Sequence, residues 1–199
     1  MSVKSPHTEF QSFYFCTFTC TRWMNLISMS NAYEKVYQFF ELMNKKKNYI
    51  TVFVVMPNHV HFIIYLNEEK KLNTIIGNGK RFLSYEVVER LKKKNDLKTL
   101  SILQAEVTAS DRKRGKLHQP FKHSFDAKKI LNKEMMLKKL RYIHHNPVSK
   151  KWNLVGDYLH YLHSSALFYE QGINKFEWLK NFYDVLDGKY EKQTKASEQ

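Results

Sequence analysis

Two hydrophobic periods alternate along the chain. Residues 13–20, FYFCTFTC, alternate bulky side chains with small or hydroxyl ones, the period-two signature of a half-buried strand. Ala32, Val36, Phe39, Phe40 and Met43 then recur at helical spacing across 31–46, with Ser30 or Asn31 available as N-cap. Two further strands are predicted over 49–55 (YITVFVV) and 59–66 (HVHFIIYL), joined by the turn Met56-Pro57-Asn58. Helical patterning returns over 70–94, weakened early by Gly77 and Gly79. Residues 95–118 read as a long polar loop with a basic knot at Asp111–Lys116, and Gln119–Ile130 as a short strand. A helix over 132–146 is opened by Asn132, carries Glu134 in its first turn and is ended by Pro147. Aromatic-rich helical stretches over 152–187 should pack on the core, and GKYEKQTKASEQ should be a frayed tail.

This order, strand-helix-strand-strand-helix-strand-helix, predicts an α+β fold: a ferredoxin-like sandwich of an antiparallel sheet with helices on one face, plus an added C-terminal helical segment. The division expected is a main domain over 1–172 and a helical extension with tail over 173–199. At 199 residues the chain should bury roughly 70% of its unfolded surface, so it needs no disulfide or metal for stability. Apolar residues at 43% exclude disorder for most of its length. Every apolar run is interrupted before the ~18 residues a membrane span needs, and MSVKSPHTEF lacks an apolar leader core; a cytoplasmic protein with no membrane partner is expected. Cys16 and Cys20 share a strand face about 13 Å apart, too far for a disulfide, and read as reduced core or half-buried residues.

Charge changes the picture. The chain carries a net +14, and residues 111–151 hold 13 Lys or Arg against 3 Asp or Glu. Such concentration points to a polyanionic partner, nucleic acid before membrane, against the simpler reading of a solvated basic face. Arg112, Lys113, Arg114, Lys116, Lys122, Lys138 and Arg141 are the candidate nucleic-acid contacts.

His59 and His61 lie at i and i+2 of a strand, so their imidazoles project from one face about 6.7 Å apart at the backbone. Two imidazoles so placed can converge on one divalent cation; the plainer alternative is a pair of surface histidines. Tyr142 and Asn146 are four apart on a helix and share a face. The Asn146 amide oxygen is a hard ligand suited to Mg²⁺ or Mn²⁺, unless Asn146 merely caps the helix. Tyr142 is a latent nucleophile, weak until activated, or else a packed aromatic. His144 and His145 are adjacent and face apart on a helix, which argues against a joint role with the strand histidines.

MPNHVHFII (56–64) resembles the His-hydrophobic-His (HUH) motif of single-tyrosine transposases. YIHHNPVSKKWNLV (142–155) resembles the YIxxNPV signature of REP-associated tyrosine transposases and their relatives. GDYLHYLHSSALFYEQG (156–172) resembles the stretch that follows it there. The pieces keep the family's order and cover residues 13–172. The resemblance implies that His59 and His61 hold a divalent metal, with Asn146 as third ligand. It implies that Tyr142 attacks a phosphodiester of single-stranded or hairpin DNA, leaving a 5′-phosphotyrosine and a free 3′-OH, and that the strand is then rejoined. It also implies a monomer or homodimer. The chain departs from the family at Ala127, after Phe125-Asp126, and at Ser149-Lys150-Lys151, after NPV. These departures bear on sequence preference.

No Gly-rich phosphate loop is present, so no nucleotide cofactor is expected. Two other classes compete. A non-catalytic single-stranded nucleic-acid binder, a domesticated transposase among them, would stack bases on Phe13, Phe15 and neighbouring aromatics. It leaves the joint occurrence of HxH and Tyr142-xxx-Asn146 without an account. A metal-dependent hydrolase with a water nucleophile lacks the carboxylate cluster of two-metal nucleases.

Overall fold

The structure, a computed structural model, describes residues 12–66 and 72–188. The leader reading, the first residues of the 70–94 helix and the tail beyond residue 188 lie outside them. Strand β1 (Ser12–Thr19) is followed by a single helical turn at Thr21–Trp23, by α1 (Leu26–Met29) and by α2 (Tyr33–Lys45). Next come β2 (Tyr49–Val55), β3 (His59–Leu66), α3 (Leu72–Lys93), α4 (Leu97–Ala105) and α5 (Ala109–Lys113). β4 (Asp126–Lys129), α6 (Lys133–His145), α7 (Ala166–Gln171) and α8 (Phe182–Leu186) complete the chain.

The four strands form one antiparallel sheet in the order β2-β3-β1-β4, the order of a ferredoxin-like sandwich. Alternation along each strand sends side chains to two cores. On one face Tyr14, Cys16, Phe18, Phe53, Val60, Phe62 and Ile64 pack beneath α2 and α3. On the other, Phe13, Phe15, Val52, Val54 and Ile63 meet Met136, Leu140 and Ile143 of α6 and Phe182 and Val185 of α8. α6 and α8 together therefore cover the face that α2 and α3 leave open. Cys16 and Cys20 are both buried free thiols, and burial pushes the Cys20 thiol up to about 12.

Three local expectations are corrected. The stretch 95–118 is not a loop. Asp96 accepts from the Thr99 N–H and starts α4, whose Leu100 and Leu103 are buried, and Thr108 accepts from the Asp111 N–H and starts α5. The strand expected over 119–130 is shorter: only Asp126–Lys129 pairs continuously, and Phe121 makes an isolated bridge to Cys20. Neither Ser30 nor Asn31 caps α2; the cap position is Ala32, and Asn31 sits in a left-handed conformation at φ 50°.

α6 is positioned by its ends. Asn132 Oδ1 accepts from the Met135 N–H at 2.8 Å, as its sequence predicts, and the chain leaves the helix at Asn146 ahead of Pro147. Met136, Leu140 and Ile143 bury one stripe on the sheet, and this fixes the rotation of the helix and hence the direction of Tyr142.

Candidate functional site

On the α6 side of the sheet the apolar layer gives way to polar residues at the end of β1 and the start of β3. Thr17 is paired in register with His61, and Thr19 with His59. Val60, Phe62 and Ile64 point into the opposite core, so both imidazoles project toward α6. They are not surface histidines: His59 is 2% exposed and His61 6%.

Each ring is held by its Nδ1. Asn58 uses its amide nitrogen on the Trp23 carbonyl (3.0 Å), which turns its Oδ1 toward His59 Nδ1 at 2.7 Å. That oxygen can only accept, so His59 carries its proton on Nδ1 and leaves the Nε2 lone pair free. Thr17 Oγ1 lies 2.6 Å from His61 Nδ1. Burial pushes His59 down to about 4; the Asn146 amide opposes this and Lys151 adds to it. Burial, then His59 and Lys139, hold His61 well below its ordinary value. Both rings are therefore neutral near pH 7, the form that binds metal.

Tyr142 is half exposed, with its Oη 3.4 Å from His61 Nε2. Its ring lies 5.1 Å from that of His61 and meets Phe15 edge-on at 5.9 Å. Burial raises its pKa and the Asn146 amide partly opposes the rise, so the phenol is neutral. The neighbouring cations of α6, Lys138, Lys139 and Arg141, do not bring it below its ordinary value. Lys139 sits over the Phe15 and Tyr142 rings at 4.3 and 5.5 Å, and Lys138 and Arg141 are exposed on α6.

Asn146 stands one turn beyond Tyr142, 7% exposed, beside both His59 and Tyr142. Its backbone occupies the helix C-cap position, while its Oδ1 is buried with no hydrogen-bond partner of good geometry. A buried unpaired amide oxygen is costly unless something else meets it. Two neutral imidazoles with their outer nitrogens anchored and one orphaned amide oxygen make a donor set that fits a divalent cation. Among the described residues no three His, Cys, Asp or Glu cluster, so no further imidazole, thiolate or carboxylate joins the two histidines here. His144 is turned away, buried against Ser165 Oγ at 2.9 Å, and His145 is exposed.

The basic residues divide. Arg114, Lys116 and Lys122 line a cleft of about 820 Å³ together with Lys80, Arg81 and His123. Arg114 and Lys116 are partly committed there to the buried Asp111 carboxylate. Arg112 donates to the Gln104 carbonyl at 3.0 Å, and Lys113 is exposed beside it. Lys122 joins cleft and site, since its ammonium also lies 4.8 Å over the Trp23 ring, itself 5.6 Å from His59. Sequence reasoning missed Trp23, Lys80 and Trp152, and named Lys151 only as a departure from the family. Trp152 alone of the missed three had a signal, its place in the segment that follows NPV.

No protein-family model and no curated protein matches the chain. A solved structure of a REP-associated tyrosine transposase bound to a REP hairpin has the same fold, with a TM-score of 0.56 at 16% identity. The match spans 91% of this chain and 93% of that one. It falls in the family that the motifs of 56–64 and 142–172 resemble.

Proposed function

We propose that the chain is a tyrosine transposase or transposase-like strand transferase acting on single-stranded or hairpin DNA, with Tyr142 as nucleophile and with His59, His61 and Asn146 holding Mg²⁺ or Mn²⁺. The observation that carries this reading is the convergence of four residues from two separate motifs: Tyr142 Oη 3.4 Å from His61 Nε2, with Asn146 beside both Tyr142 and His59. The orphaned Asn146 oxygen supports the metal assignment, and the fold shared with a transposase supports the class.

A cation bound there supplies charge neutralisation at a phosphate. The chain's own residues do the rest. Asn58 and Thr17 fix the two rings by their Nδ1 atoms, and α6 aims the tyrosine at the same point. Tyr142 Oη gives its proton to solvent and attacks phosphorus. The Oη–P bond forms, the P–O3′ bond breaks, and the departing 3′ oxygen takes a proton. The product is a 5′-phosphotyrosine with a free 3′-OH, and attack by a 3′-OH reverses the step without ATP. Lys116, Lys122 and Lys139 supply cations beside the path of the backbone. Arg112, Lys113, Arg114, Lys138 and Arg141 extend that basic surface.

The test is a covalent adduct. A labelled single-stranded hairpin incubated with the protein and Mn²⁺ should yield a protein–DNA species that survives denaturation. Tyr142→Phe, which keeps the ring, should bind DNA and form none. An adduct in Tyr142→Phe, or one mapped to another of the 12 tyrosines, rules the assignment out. Binding without any adduct across many hairpins would favour a non-catalytic binder.

A further inference from the structure

Beside the histidines, the turn at Thr21–Trp23 adopts an uncommon conformation. Arg22 and Trp23 have φ values of 51° and 58°, two consecutive non-glycine residues in the left-handed region. L side chains are found there when surrounding contacts impose it, and such residues gather at functional sites. The contacts are visible. Arg22 pairs with Glu106 through Nη2 and Nε at 2.6 and 2.7 Å, and Asn58 Nδ2 donates to the Trp23 carbonyl at 3.0 Å. The result is a tryptophan held 43% exposed.

A second tryptophan meets it. The Trp152 N–H donates to the Ser149 carbonyl at 2.9 Å, and Asn153 follows at φ 41°. The Trp152 ring lies 5.9 Å from Trp23, and both flank His59, at 5.1 and 5.6 Å. Lys151 Nζ sits 4.4 Å over the Trp23 ring and 4.5 Å over Trp152, and Lys122 Nζ 4.8 Å over Trp23. Two indoles and two ammonium groups thus border the histidine site, and one of the two ammonium groups, that of Lys122, also lines the basic cleft.

We infer that Trp23 and Trp152 form a stacking platform for an unpaired nucleobase next to the reacting phosphate, with Lys151 and Lys122 leaving the ring faces to take the flanking phosphates. The inference rests on the single-strand reading above and adds to it the residues that seat the strand. A flat π-face accepts any base, so the platform sets the position of the strand rather than its sequence. An ammonium over an exposed indole is held weakly, so a base can replace it while the lysine keeps an anionic partner.

The third tryptophan makes the test clean. Trp178 is buried against Phe40, Phe53 and Phe176, away from this site, and gives a constant background emission. Oligothymidylate added to the full chain should quench tryptophan emission, and Trp23→Phe and Trp152→Phe should each remove part of the response. By anisotropy, Trp23→Ala should weaken binding of oligothymidylate about 5- to 150-fold, the range found for a lost base–aromatic stack, and Trp23→Phe should restore most of it. An abasic strand of equal length keeps the phosphates but offers no base, so wild type and Trp23→Ala should bind it alike. Equal weakening toward both strands would make Trp23 a structural prop and overturn the inference. Unchanged oligothymidylate affinity in the Trp23→Ala, Trp152→Ala double variant would overturn it while leaving the single-strand reading intact. No binding of either strand by wild type at low salt would sink both.

Discussion

Tyr142 Oη stands 3.4 Å from His61 Nε2, and the other nitrogen of that ring is occupied by Thr17 Oγ1 at 2.6 Å. One lone pair at Nε2 cannot both ligate a cation and take the phenolic proton. Burial keeps Tyr142 above its ordinary value, so the phenol must lose its proton before it attacks. With His61 acting as ligand, the initial rate of adduct formation should rise about tenfold per pH unit between roughly 6 and 9, following the phenolate fraction. Rates measured at saturating Mn²⁺ across that range check this. A flat profile would make His61 the base and remove it from the ligand set.

The bond from Thr17 to His61 gives a second expectation. Thr17→Val keeps the volume and removes the hydroxyl that orients the imidazole. Loss of such a partner behind a metal-binding histidine weakens metal affinity about 10- to 100-fold. The fold should lose only about 1–3 kcal/mol, for one buried ring nitrogen left unpaired. Mn²⁺ titration by calorimetry, beside urea unfolding of the metal-free protein, separates the two effects. Wild-type Mn²⁺ affinity in Thr17→Val would show that the ring needs no such anchor.

The strands β1 to β3 and helix α6 were legible in the sequence because period and punctuation agreed. FYFCTFTC alternates cleanly, Met56-Pro57-Asn58 breaks the hairpin, and Asn132 with Pro147 brackets the helix. The pairing of His59 and His61 on one face followed from the same alternation. What failed did so for physical reasons. Helices α4 and α5 are short and lie in a charged stretch, where the caps Asp96 and Thr108 say more than composition does. The burial of the histidines was hidden because the cover comes from Trp23 and Trp152, far apart in sequence. The raised pKa of Tyr142 was not legible either, because it follows from burial on the folded sheet and not from the cations beside it in sequence.

Two glycines of α3 that look alike in the sequence should behave oppositely. A Cβ on Gly79 would lie 2.5 Å from the Phe39 ring, in the seam between α2 and α3. Gly79→Ala should therefore cost about 1–3 kcal/mol, the usual range for forcing volume into a packed core. At Gly77 no atom lies within 4 Å of the added Cβ, and the position is exposed. Gly77→Ala should stabilise by about 0.5–1 kcal/mol, through the unfolded-chain entropy it removes. Urea unfolding of both variants decides the point. A stability change of the same sign in both would mean that α2 and α3 do not meet at Gly79.

His144 ties α6 to the sheet through Ser165, whose Oγ also receives the Phe53 N–H at 3.0 Å. Burial, with a smaller push from His145, lowers its pKa from 6.5 to about 3. Between those values the unfolded chain binds a proton at this residue and the folded one does not, so stability rises with pH across that window. Read the other way, this contribution is complete above pH ~6.5 and is lost as the pH falls toward ~3, on the order of 4 kcal/mol in all. His144→Gln keeps an amide donor for Ser165 and removes the titration. Its unfolding free energy, followed by urea at a series of pH values from neutral to 4, should fall less steeply than that of wild type. A residual slope should remain, because His59 titrates in an overlapping window, with its own pKa lowered to about 4. Identical slopes in the two proteins would mean that the His144 imidazole is solvated enough to protonate in place, and that α6 is held to the sheet by its apolar stripe alone.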